Sequence, residues 1–150
     1  MATWAELHGA EPVFADRVRQ AFDTGRHKTM ATLRRDRSPR MSGIEVEFVD
    51  AGICFGTMPG SAKARDLERD PRVALHSPTV DPPADDPGAW LGEAKLAGRA
   101  VATGGHGDSD PGRFVIDIVE VVLTRIGSPP DHLVIESWHP GRGLERTERR

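Results

Sequence analysis

The sequence predicts a mainly β fold: a closed or nearly closed antiparallel barrel of six or seven short strands, with two helices. Three observations point there. Apolar residues recur with period two, as at Ile44, Val46 and Phe48, with Glu45 and Glu47 between them. The chain of 150 residues carries 16 Gly and 12 Pro, which cut it into many turns. Helical signals are confined to two stretches, 3–23 and 61–69.

The elements follow in order. Thr3 caps the first helix, and Phe14, Val18 and Phe22 extend an apolar stripe begun by Trp4 and Leu7. Pro12 splits this helix into a short first turn and a main segment, and Gly25 ends it. Strands are predicted over 28–34, over 44–48 after the turn at 36–39, and over 53–57 after Asp50-Ala51-Gly52; together they read as a meander. Pro59 and Gly60 break the third strand, Ser61 caps the second helix, and Pro71 stops it before a strand at 72–77. Residues 78–92, with four prolines, and 103–112 read as loops. Strands at 95–102, 114–126 and 133–138 complete the sheet. The second of these is long enough to require a bend or bulge near Glu120. The charged tail RGLERTERR is expected to fray.

Composition bounds the function. At 150 residues, 37% hydrophobic and 29% charged, residues 1–150 are expected to form one soluble domain. A net charge of −3 supplies no electrostatic reason for nucleic acid or an anionic membrane as main partner. One cysteine, Cys54, forbids an internal disulfide and suits a reducing compartment. The first residues carry charges too early for a secretion signal, and no apolar run nears the roughly 20 residues of a membrane helix. The expected location is the cytoplasm.

The chemistry concentrates in Thr57-Met58-Pro59-Gly60-Ser61-Ala62-Lys63, where a strand ends, a Gly/Pro turn follows and a helix starts. Free backbone N–H groups at a helix start attract anions. Hydroxyls from Thr57 and Ser61 and the ammonium of Lys63 can join them in a phosphate cradle. The same residues also read as a plain helix cap followed by a solvated lysine.

The order of elements resembles the pyridoxamine 5′-phosphate oxidase-like split barrels. The resemblance rests on TMATLRRDRSPRMSGI and GICFGTMPGSAKARDLERDPRVAL, within residues 29–77. These carry a Pro-Arg strand, a Gly-led strand ending in Thr, a Ser-x-Lys helix start and Asp-Pro-Arg before an apolar strand. The resemblance implies a homodimer holding a flavin-type cofactor, FMN or coenzyme F-420, in a groove between subunits. It implies an oxidoreductase passing a hydride to or from a small molecule that the sequence does not identify.

Position by position, Lys63 and Ser61 fall where the family grips the cofactor phosphate, and Thr57 and Met58 where a strand end lies along the cofactor. Arg40 falls where a second-strand arginine reaches phosphate or ring, with Ser42 two residues on along the same face. Trp138 and Arg142 resemble the tryptophan and downstream arginine near the flavin, with Arg146 competing for the second role. Glu45 stands where the oxidases keep a lysine for FMN. It either points outward or marks a different ligand, and the F-420 branch does not need that lysine. The oxidases' C-terminal vitamin-binding signature is incomplete, so pyridoxamine phosphate oxidation itself is not implied. The alternative function, from another class, is a barrel that binds or senses flavin, haem or another tetrapyrrole without turnover.

The remaining candidates read more simply. Six histidines show no metal-ligand spacing; His76 is placed to border the pocket, and His106 sits in the second loop. Cys54 reads as a small buried hydrophobe. Ser61 lacks a nucleophile elbow and GGHG lacks the setting of a dinucleotide fingerprint, so no side chain is assigned as catalytic. The charges of 62–72 read as a solvated helix face, with Lys63 alone singled out. Trp4 and Trp90 are core or interface candidates, and the two loops are the expected gates of the site.

Overall fold

The structure is a computed structural model and describes residues 1–104 and 109–150. The chain opens with α1 (Trp4–Ala10) and α2 (Pro12–Phe22). The Thr3 hydroxyl accepts from Glu6 N while the Glu6 carboxylate accepts from Thr3 N, a reciprocal cap that fixes where α1 starts. Pro12 opens α2, where a missing N–H costs nothing. The stripe of Trp4, Phe14, Val18 and Phe22 is buried, and Phe48 meets both Trp4 (ring centroids 4.9 Å apart) and Phe22 (5.5 Å).

The sheet contains β1 (Lys28–Leu33), β2 (Pro39–Ile44), β3 (Val46–Val49), β4 (Gly52–Thr57), β5 (Arg72–His76), β6 (Glu93–Gly104), β7 (Gly112–Ile126), β8 (Leu133–His139) and β9 (Gly143–Arg149). A third helix, α3 (Ala62–Arg69), lies between β4 and β5, and one 3-10 turn (Pro87–Ala89) interrupts the loop before β6. All strand pairs are antiparallel, in the order β2-β1-β5-β6-β7-β4-β3, with β8 added to β7 and β9 to β8. β2 and β3 stand at opposite ends of that order, yet only Glu45 separates them. Adjacent Cα atoms lie about 3.8 Å apart, so the sheet must curl until its two ends meet. One bent strand, β2 with β3, thereby closes a barrel with six strand positions.

The expected meander is present with its middle strand broken at Glu45: β1 pairs with β2, and β3 with β4. The bend expected in the long strand is a bulge. Ala97 faces Glu120 and Gly98 faces Ile118, leaving Val119 unpaired and exposed. The buried positions of β7 accordingly switch phase, from Phe114, Ile116 and Ile118 to Val121 and Leu123. Gly98 is required here, since a Cβ would lie 2.1 Å from the Asp117 carbonyl oxygen.

Three expectations need correction. The tail does not fray: β9 pairs with β8 from Gly143 to Arg149, because Gly141 and Gly143 take positive φ and turn the chain back. The split expected at Pro12 makes two separate helices of the first stretch, so the described residues hold three α-helices where two were expected. The ends of the expected loop at 103–112 are strand, since β6 reaches Gly104 and β7 starts at Gly112, and residues 105–108 lie outside the described residues. His106 lies outside the described residues. Among the described residues no helix is long and apolar enough to cross a membrane.

Candidate functional site

The site is built at the junction of β4 and α3. Gly60 takes φ +67°, which a side chain would resist, and turns the chain after Pro59. Ser61 follows in extended conformation, and its Oγ accepts from Ala64 N at 3.2 Å, so α3 starts there. The hydroxyl proton remains available as a donor. Lys63, one residue into the helix, donates from Nζ to the Gly43 carbonyl on β2 at 2.9 Å. Among the described residues Lys63 forms no ion pair.

Gly43 also lines a groove of 870 Å³, bounded by the β2–β3 bend on one side and by β4 and β7 on the other. Phe55 and Phe114, stacked at 5.1 Å with 15° between ring planes, form part of its wall. Met58 lines it and is 80% exposed. Thr57 is buried, and its Oγ1 has no hydrogen-bond partner among the described residues. The hydroxyl sits against Gly112, where a Cβ would lie 2.5 Å from it. A buried hydroxyl without a partner is costly, so this corner favours a donor or acceptor from beyond the described residues.

Glu45 and Cys54 line the same groove. Glu45 is well exposed and lies 3.7 Å from His27. Burial pushes the Cys54 thiol above its ordinary pKa, and the Glu47 charge adds to the shift. Both effects hold it as the unreactive thiol.

Arg40 departs from its expected direction. Its Nε donates to Asp66 Oδ2 at 2.7 Å, and Asp66 is buried in α3. Thr32 donates to the same oxygen at 2.8 Å, and Arg69 to Oδ1 at 2.8 Å. Burial raises the Asp66 pKa, but the hydrogen bonds from Arg40, Thr32 and Arg69 outweigh it and hold the carboxyl below its ordinary value. Ser42 shares the Arg40 face, is half-buried and pairs across the ladder with Met30 of β1.

The structure thus gathers Thr57, Met58, Ser61 and Lys63 at one strand–helix junction, with Arg40 and Ser42 on the adjoining strand. It does not bring the C-terminal pair there. Trp138 is buried in the core, opposite Val121 of β7 and Leu144 of β9. Arg142 is exposed on the β8–β9 turn, and Arg146 pairs with Glu148 along β9. None of these three lines the groove, and of the other predicted residues Met58 does while Thr57, Ser61, Lys63, Arg40 and Ser42 adjoin it without lining it. His76 does not line it either; its ring meets the Ser77 carbonyl at 2.6 Å and Glu93 at 3.8 Å. Among the described residues no group of three or more His, Cys, Asp or Glu is placed to hold a metal.

Sequence reasoning missed Asp66, read as part of a solvated face. Its spacing from Ala64 and Leu67, both buried, was the available signal. It also missed the arginines of 34–40 as a group, although four of those seven residues are Arg.

No protein-family model and no curated protein matches the sequence. Solved structures do match the fold. A pyridoxamine 5′-phosphate oxidase-related, FMN-binding protein from Nostoc punctiforme is 11% identical, at a TM-score of 0.65 over 93% of this chain and 96% of that one. An F420 reductase is 13% identical, at 0.52 over 69% of this chain and 94% of that one. A haem-binding protein from Mycobacterium smegmatis is 14% identical, at 0.52 over 89% and 86%. Likeness at such identities speaks for architecture: the chain has the pyridoxamine 5′-phosphate oxidase-like split-barrel fold.

Proposed function

We propose that this chain binds FMN or coenzyme F-420 beside Lys63 and works as a flavin- or deazaflavin-dependent oxidoreductase on a small molecule. One observation carries the reading. Lys63 stands at a helix start with no carboxylate partner among the described residues, and its Nζ bonds the carbonyl of Gly43, a lining residue of a groove walled in part by two stacked aromatic rings. Such a place suits a ligand with a phosphate at one end and a flat ring at the other.

The residues fit the cofactor. Lys63 and the Ser61 hydroxyl would hold its phosphate, and the orphaned Thr57 Oγ1 would bond a polar atom of the bound molecule. Met58 and the phenylalanine pair would wall its ring and keep water from it. When bound, the cofactor supplies the hydride chemistry, and the chain supplies anchoring, orientation and dryness. A second copy of the chain would cover the groove, hence a homodimer.

The test is titration of the purified protein with FMN, F-420 and haem, followed by fluorescence or absorbance. Saturable binding of FMN or F-420 that weakens in Lys63→Ala supports the reading, and reduction of a test acceptor by the loaded protein extends it to turnover. Binding of haem alone assigns the barrel to non-catalytic binding, and binding of none of them removes it.

A further inference from the structure

The free edge of β9 carries its charges in an order that fits a second copy of itself. β9 pairs with β8 along one edge, and along the other it meets no strand among the described residues. Its partners on β8 follow one another from Gly143 to Arg149 without a register shift, so the strand is regular along its length. An unpaired strand edge offers a row of N–H and C=O groups to any strand laid beside it. Such edges are commonly blunted by proline, by a bulge or by repelling charges. β9 has no proline and no bulge, and its charges alternate in sign through Glu145, Arg146, Glu148 and Arg149.

Two identical strands that pair antiparallel are related by a two-fold axis, so one residue faces its own copy and the others pair outward from it. Centring on Glu145, Arg146, Glu148 or Arg149 sets that charge against itself. Centring on Leu144 sets Arg142 against the partner's Arg146. Centring on Thr147 sets Glu145 opposite the partner's Arg149 and Arg146 opposite the partner's Glu148, with the two threonines facing each other. Only this register matches every charge of 145–149. Opposite charges and Thr–Thr pairs directly across a ladder both favour the sheet.

The side chains are free to take these positions. Residues 145–149 are all exposed. Arg146 bonds Glu148 of its own strand at 3.2 Å, and the partner's pair would set the same two charges against them in reverse. Glu145 and Arg149 have no side-chain hydrogen bond or ion pair among the described residues.

We propose that β9 is a self-association edge, on which two copies of the chain pair β9 with β9, antiparallel and centred on Thr147, and so join their sheets. None of these residues lines the groove, so the contact is separate from the one proposed to cover it. One ladder is small against the roughly 1,000 Å² that a stable interface buries, so the association is weak, and its exposed ion pairs make it sensitive to salt.

The experiment is sedimentation velocity of the full chain over a concentration series, at low and at high salt. The starting species is a monomer or a groove-covered dimer, and β9 pairing doubles the mass of either. Arg149→Glu should weaken that doubling at least about tenfold, because two opposite-charge pairs become two like-charge pairs, and high salt should weaken it in the wild type. Glu145→Arg combined with Arg149→Glu should restore it, since the exchanged charges again oppose. Both residues are exposed and unpaired within the described chain, so the melting temperature should hold in each variant. A groove-covered dimer should survive Arg149→Glu, which separates this contact from the cofactor reading. No doubling up to about 1 mM protein, a doubling indifferent to Arg149→Glu, or a double variant that stays dissociated overturns the proposal.

Discussion

Lys63 Nζ donates to the Gly43 carbonyl at 2.9 Å, tying the first turn of α3 to β2 at the point where the groove begins. One neutral acceptor leaves two of the ammonium's donors for a ligand. Lys63→Ala should therefore weaken FMN or F-420 binding by about 1.5–3 kcal/mol, the worth of a hydrogen bond to a charged group. Fluorescence titration measures this. The melting temperature should barely move, since the contact is exposed.

Glu45 puts a negative charge on the groove wall, 3.7 Å from His27. Glu45→Lys replaces it with a positive one. Both residues of that pair are well exposed, so the gain for FMN should be about 1 kcal/mol, and added salt should erase it. Affinity measured at two salt concentrations decides. Unchanged affinity at low salt would show that Glu45 does not face the bound anion.

Asp66 is buried under two arginines whose side chains are 29% and 32% exposed. Asp66→Asn leaves Arg40 and Arg69 without their counter-charge and should destabilise the fold at pH 7 by about 2 kcal/mol, less than for a wholly buried pair. The folded pKa lies below the ordinary 3.8, so the contribution is complete above pH 3.8 and lost as pH falls through the lowered value. Urea midpoints of the two proteins should therefore differ at pH 7 and converge under acid conditions.

Gly98 faces the bulge, where an added Cβ would meet the Asp117 carbonyl oxygen at 2.1 Å and Ile116 Cγ2 at 2.9 Å. Backbone in a central ladder cannot step aside cheaply. Gly98→Ala should cost about 3 kcal/mol by denaturant unfolding. A wild-type midpoint would mean that the bulge at Val119 absorbs the methyl group.

Much of this was legible in the chain. Alternation at 44–48 announced the strand, Thr3 and Ser61 announced two helix starts, and the β-branched run at 114–126 was too long to stay regular. Each signal is local, because turn chemistry and side-chain period act over a few residues. The tail misled for the same reason. RGLERTERR has no apolar face to mark it as a strand, and β8 recruits it through backbone hydrogen bonds that any side chain permits.

Residue order alone settled the periods, the breaks and the cap that opens α3. Folding in three dimensions settled which charges are buried and which surfaces meet. Asp66 draws its partners from 34 positions away at Thr32 and 26 away at Arg40, and β2 and β3 close the barrel because distant strands fill the space between them. Whether a carboxylate is solvated or sunk beneath arginines depends on what the rest of the chain brings against it, and no local pattern carries that information.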